Sequence, residues 1–161
     1  MNTPSTAPFD TEAAFRQAID TITVAAGREI RIFDRDLTCV AIERKSVAEA
    51  LEQYLSSDRN RRLRIVIHDQ EYFARFCPRI SSLVRRFSQS IEIRQSPEEL
   101  RHLQESYILA DATHAAIRFN FGQPRGKIIL DDSESLLPWW KRFDDLWLLS
   151  TPCLSPTRLG L

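Results

Sequence analysis

Asp34 and Asp36 flank Arg35 in the string RIFDRDL, and His68 and Asp69 close the string RLRIVIHD. These are residue types of acid/base and metal chemistry. Carboxylates two residues apart on an extended chain share one face and could hold a divalent cation through oxygen. Arg31 and Arg35 lie beside them, however, so internal ion pairing is the favoured reading and no metal is expected. His68 and Asp69 could form an acid/base pair. Consecutive strand residues point to opposite faces, which favours a solvated strand end with Asp69 capping the next helix. Together Asp34, Asp36, His68 and Asp69 define the enzymatic alternative, a metal-assisted phosphoesterase. A third polar set lies in QESYILAD and the following AAIRFNF, which carry Gln104, Ser106, Asp111, Arg118 and Asn120 in two apolar, strand-like runs. His114 stands between these runs without a Cys or second His at ligand spacing and reads as a surface histidine.

The chain that must position these residues has 161 of them, the usual range of one domain with its own core. Lys plus Arg and Asp plus Glu both total 22, so no global field attracts nucleic acid or membranes. A local concentration exists in the middle of the chain, at Arg59, Arg61, Arg62, Arg64, Arg79, Arg85 and Arg86. Guanidinium is the preferred phosphate fork, but this tract lacks interleaved aromatic residues, so a nucleic-acid partner is not expected. The three cysteines, Cys39, Cys77 and Cys153, are odd in number and lack metal spacing. With no signal peptide, they read as reduced thiols of a cytoplasmic protein. No apolar run is long enough to span a bilayer.

Residues 1–9 are small, polar and Pro-containing and predict a disordered arm. Residues 10–150 predict a single α/β domain, and the Pro-rich residues 151–161 an irregular tail. Asp10 or Thr11 can cap a helix whose apolar stripe is Phe15, Ala18, Ile19, Ile22 and Ala26, with Gly27 as a left-handed stop. Arg28 to Phe33 alternates as a strand. Ser46 and Glu49 form a capping box for a second helix, and Leu63 to Ile67 is the next strand. A helical region from Gln70 to Ser88 is broken at Cys77-Pro78, because a residue before proline avoids the α region. A strand from Ile91, a Ser-Pro helical turn, two strands joined at DATH and an edge strand at Lys127 to Leu130 follow. The last helix carries the stripe Leu136, Trp140, Phe143 and Trp147, with Pro138 placed in its first turn. Strands separated by helices require parallel pairing, and the late hairpin adds antiparallel pairing, giving a mixed, mainly parallel sheet flanked by helices.

This order, with QESYILAD late in the chain, resembles one half of a phospholipase D-like domain over roughly Thr11 to Ser150. Such halves carry a His-x-Lys-x4-Asp motif on a strand entering a hairpin, and a Gly-Ser-x-Asn-type signature on the next strand. Here Gln104 replaces the His, Ser106 replaces the Lys, Asp111 keeps the Asp, and Asn120 in IRFNF is all that represents the second signature. More narrowly, RIFDRDL, RIVIHD, PRISSLVRRFS, IEIRQ, YILAD and FDDLW resemble an uncharacterised bacterial domain family, a degenerate branch of the same type. In active members two halves each supply a His, one attacking phosphorus and the other protonating the leaving oxygen, while the lysines neutralise phosphoryl charge. An amide can do neither His task, and a hydroxyl carries no charge. The resemblance therefore implies a catalytically inactive binding or regulatory module that needs no cofactor and forms a homodimer. The degenerate pocket, made of Gln104, Ser106, Asp111, Arg118, Asn120, Asp34, Asp36 and His68, would accept a phosphate-bearing ligand or a protein partner.

Overall fold

Thr11 caps the first helix as its side chain allows, its Oγ1 accepting the Ala14 N–H at 3.0 Å, and from there the elements alternate much as the apolar periodicity predicts. The computed structural model describes residues 3–153. In chain order the elements are β1 (Ser5–Phe9), α1 (Glu12–Ala25), β2 (Glu29–Asp34), α2 (Lys45–Ser57), β3 (Arg62–Ile67), α3 (Glu71–Phe76), α4 (Pro78–Arg86) and β4 (Ile91–Gln95). A 3₁₀ turn (Glu98–Leu100) leads to β5 (Ser106–Ala110), β6 (His114–Asn120), β7 (Gln123–Leu130), α5 (Ser133–Leu149) and β8 (Thr151–Pro152).

All eight strands join one sheet in the order β1-β7-β6-β5-β2-β3-β4-β8. The pairs β2–β3 and β3–β4 are parallel and the others antiparallel. The domain is thus a mixed α/β sheet with helices on both faces, but parallel pairing is confined to β2, β3 and β4, so the sheet is mainly antiparallel and not mainly parallel as expected. Ile30, Ile32, Ile65, Ile93 and Ile108 pack under α1 to α4. Phe33, Val66, Tyr107, Leu109 and Ile117 turn to the other face, where Leu136, Phe143, Leu146 and Trp147 of α5 cover them. Trp147 is buried and stacked on Phe143 at 5.9 Å. Trp140, expected in the same stripe, is only half-buried and carries the Arg31 guanidinium 3.7 Å above its ring.

Several local expectations are corrected. The arm expected to be disordered over residues 1–9 contains β1, held against β7 and anchored by Phe9 on Phe15, ring centroids 5.4 Å apart. Its prolines fit because β1 is an edge strand, where a missing N–H breaks no ladder. The tail begins in order too: β8 pairs with β4, and the Cys153 N–H donates to Ile93 O at 2.9 Å. Residues 154–161 lie outside the described part. The α2 cap is Arg44 rather than Ser46, without a side-chain cap bond. Pro138 falls in the second turn of α5, whose N-cap is Asp132. The edge strand expected at 127–130 starts at Gln123 and is not an edge, because β1 pairs along its outer side; it lies close to β6 because Gly126 has no Cβ: one there would stand 1.8 Å from Ile117 O.

Candidate functional site at the carboxyl ends of the strands

β5 runs antiparallel to β2 in the register Phe33↔Tyr107, which brings its first residue, Ser106, against Asp34 at the carboxyl end of β2. On its other side Ser106 pairs with Arg118 of β6. Ser106 Oγ donates to Asp34 Oδ1 at 3.0 Å. The Asp34 carboxyl also accepts the N–H of Arg35 at 2.7 Å and of Val40 at 3.0 Å. Both side chains are fully buried. Burial pushes the Asp34 carboxyl above its ordinary value, only partly opposed by these hydrogen bonds.

Arg118 is buried as well, with each of its three nitrogens engaged. It donates to both Glu12 oxygens at 2.8 and 2.9 Å, to Phe121 O at 2.8 Å and to Asn120 O at 3.2 Å. The same contact holds the Glu12 carboxyl below its ordinary value, chiefly through the Arg118 hydrogen bond. Glu12 is the residue that sequence reasoning missed, since nothing in its position in the first turn of α1 announces a partner more than a hundred residues away. Cys39 was also missed. It is half-buried beside this cluster, and burial with the Asp34 charge pushes its thiol up to about 11, an unreactive cysteine.

Gln104 lies at the solvent edge, its Oε1 accepting from Asn120 Nδ2 at 2.6 Å. Asn120 Oδ1 in turn accepts the Gly122 N–H at 2.7 Å. The positions of the motif His and of the second signature therefore do meet, as an amide pair. Asp111 does not join them. It follows the far end of β5, where its carboxylate accepts the backbone N–H groups of Gly27, Arg28 and Glu29 at 2.7, 2.8 and 2.9 Å. Gly27 accordingly acts as a donor to this carboxylate, not as the left-handed helix stop expected of it; the α1 C-cap is Ala26 in extended conformation. Asp111 and Ala112 both have φ of 57°, the paired left-handed residues of a tight hairpin turn.

The four residues of the enzymatic alternative are dispersed in function. Asp36 accepts the Thr38 N–H at 3.0 Å and lies 3.7 Å from Arg35 Nε. His68 is buried, bonded to Ser96 Oγ and to Leu103 O at 2.9 Å, with its ring edge-on to Phe33. Asp69 accepts the Glu71 N–H at 2.8 Å, a turn bond just ahead of α3, whose N-cap is Gln70 without a side-chain bond rather than the expected Asp69. Among the described residues no group of three or more His, Cys, Asp and Glu could hold a metal ion. His114 uses Nδ1 to accept the Asp131 N–H at 3.1 Å.

The mixed sheet of this topology is a phospholipase D-like fold, as its likeness to solved structures shows. The structure superposes on a phospholipase D family member, Nuc from Salmonella typhimurium, with TM-score 0.66 and 17% identity over 95% of this chain and 100% of that one. It also matches TrmBL2, an archaeal chromatin protein whose structure shows a novel mode of DNA binding (TM-score 0.66, 11% identity, 92% of this chain and 54% of that one). A third likeness is to phosphatidylserine synthase from Haemophilus influenzae Rd KW20 (TM-score 0.64, 12% identity, 100% of this chain and 42% of that one). No curated protein matches the chain. The family model for "Domain of unknown function (DUF7931)" matches residues 11–159, and the chain belongs to that family.

Proposed function

We propose that the chain is a phospholipase D-like module that binds a partner without catalysing phosphoryl transfer. The observation that carries this reading is the inward closure of the motif positions. The Ser106 hydroxyl is engaged by a fully buried Asp34, and Arg118, its partner across the β5–β6 ladder, is taken by Glu12. Covalent phosphoryl transfer needs an activated nucleophile and a proton donor within reach of the substrate, and Gln104 supplies neither. The three solved neighbours carry descriptions as different as a synthase and a chromatin protein, in keeping with one scaffold hosting unrelated functions. The relocated metal site lacks a comparable support, because Asp36, His68 and Asp69 each have a separate structural partner.

Turnover of bis(p-nitrophenyl) phosphate without added metal, with trapping of a phosphohistidine, tests the reading. No turnover and no adduct are expected; turnover abolished by Gln104→Ala would overturn it. The module acts as a homodimer in this proposal. The chain spans the whole of the Nuc chain it superposes on, and a lone half leaves its exposed pocket edge, with Gln104 and Phe119, for a two-fold mate to cover. Light scattering at tens of micromolar should give twice the chain mass, and a monomer would remove the claim. No helix among the described residues is long and apolar enough to cross a membrane, and the three cysteines are free thiols, which fits work in the cytoplasm.

A further inference from the structure

The arginine-rich tract takes no part in the cluster at the carboxyl ends, and the fold carries its first half to the opposite end of the sheet. Arg59 and Arg61 lie in the connection between α2 and β3, and Arg62 opens β3. Arg28 stands just before β2, and the Arg62 N–H donates to its carbonyl at 3.0 Å, so these two are neighbours. α1 and α2 finish at the same end, because each returns the chain to the start of a parallel strand. Between their last turns is a cavity of about 220 Å³ whose lining includes Thr23, Val24, Tyr54, Ser57 and Arg61.

Arg61 is held in place there. Its guanidinium lies 5.1 Å from the Tyr54 ring centroid and donates through one terminal nitrogen to Tyr54 O at 3.2 Å. Its Nε is buried and has no hydrogen-bond partner. A donor removed from water with nothing to receive it is costly, and such a group in a native fold calls for an explanation, of which a bound molecule nearby is one. The surrounding charge is not neutralised by carboxylates, although the Arg62 guanidinium donates to Arg59 O at 2.8 Å and to Arg61 O at 3.1 Å. Among the described residues Arg28, Arg59, Arg61 and Arg62 form no ion pair, unlike Arg64, Arg79 and Arg86 of the same stretch, which reach Glu29, Glu43 and Glu52. The carboxylates at hand are engaged by backbone: Asp58 by the Asn60 N–H, Asp111 by three N–H groups.

We infer that this end of the sheet binds a phosphate-bearing ligand, with the Arg61 guanidinium that lines the cavity as anchor and Arg28, Arg59 and Arg62, which lie at the same end of the sheet, as further cations beside it. Guanidinium groups match phosphate oxygens in geometry, and several of them together suit a dianion better than a lone carboxylate. The one aromatic ring in the cavity is already covered by Arg61, so recognition is of the phosphate and not of a stacked base. The site is independent of Gln104 and Ser106 and stands whether or not those residues are inert.

Calorimetric titration and thermal shift of the full chain with inorganic phosphate, a nucleoside monophosphate and a single-stranded oligonucleotide test it. Stabilisation by at least one of these probes is expected, because a ligand that binds only the folded state raises the melting temperature by mass action. Inorganic phosphate acting alone would assign a small-anion site. A stronger oligonucleotide response that weakens steeply with salt would assign a nucleic-acid backbone as the source. Arg61→Gln should weaken binding about tenfold, in line with the loss of one charge-assisted hydrogen bond. Because Arg61→Gln also removes a packing contact, the exposed Arg59→Glu serves as second variant and should weaken binding several-fold without altering the unliganded melting temperature. Lys141→Gln, exposed on α5, should bind as the parent does. The inference is overturned if no probe stabilises the chain at millimolar concentration, or if Arg59→Glu and Arg61→Gln bind as tightly as the parent.

Discussion

The two ends of β5 carry the two parts of one motif and treat them in opposite ways. At the start, Gln104 and Ser106 stand where chemistry would need a His and a Lys, and both are turned to local hydrogen bonding. At the end, Asp111 matches the motif and clasps the first three residues of the β2 approach through their N–H groups. A strand of this length separates the two by roughly 17 Å at about 3.3 Å per residue, too far for a shared site. The matching residue is the one with a task in the scaffold, and the substituted ones are those whose only task would be the reaction. A motif can thus be half chemistry and half architecture, and the half that remains reports the fold.

The largest effect should come from the architectural end. Asp111→Ala removes the acceptor of three backbone N–H groups and places alanine at φ 57°. Charge-assisted bonds contribute about 1.5 to 3 kcal/mol each but are not additive, so a total near 3 kcal/mol is expected from urea denaturation. Asp111→Asn, which tolerates the left-handed backbone and keeps one acceptor oxygen, should lose about half of that. A loss below 1 kcal/mol for Asp111→Ala would break the contrast between the two ends.

A second effect separates two carboxyls within the pocket by their pH dependence. Asp34 has its value raised by burial, so the folded state holds that proton more tightly than the unfolded chain does. Its contribution is therefore fully present below the ordinary value of 3.8 and declines as pH rises through the raised one. Glu12 has its value lowered by Arg118, so its contribution is present above the ordinary 4.5 and is lost as pH falls through the lowered one. Against the parent, Asp34→Asn should become relatively more stable as pH climbs from 4 toward neutrality, and Glu12→Gln relatively less. Melting curves across that range check both signs, and parallel curves for Asp34→Asn and the parent would show that burial does not raise the Asp34 value.

Much of this was legible in the string of residues, and the limits have physical causes. The parallel core of β2, β3 and β4 followed from apolar alternation between helical stripes, and the break at Cys77-Pro78 from proline sterics. That Asp69 would be engaged locally at the strand end followed from strand geometry, although it closes a turn before α3 and Gln70 is the N-cap. β1 was illegible because its order comes from pairing with β7, a contact more than a hundred residues away that leaves no local pattern in STAPF. Glu12 on Arg118 was hidden for the same reason, and so was the reassignment of Gly27, whose N–H is claimed by Asp111. Gln104 and Ser106 were recognisable as substitutions by type. That one faces solvent and the other is entirely buried depends on where the β5 ladder begins.

That difference in exposure orders the two smallest effects. Ser106→Ala removes one hydroxyl bond to Asp34 in a fully buried setting and should cost about 1 kcal/mol, near the average for a buried hydrogen bond. Gln104→Ala should cost under about 0.5 kcal/mol, the usual range for an exposed side chain, and shift the melting temperature by about 2 °C or less. The argument for the small value is that the Asn120 amide released by the change can turn to water, while Asn120 Oδ1 keeps the Gly122 N–H and Phe121 N–H keeps the Gln104 backbone carbonyl. The hairpin end is thus held without the glutamine side chain. If Gln104→Ala instead destabilises as much as Ser106→Ala, the amide pair is a structural clasp like Asp111, and the two ends of β5 differ in residue type but not in role.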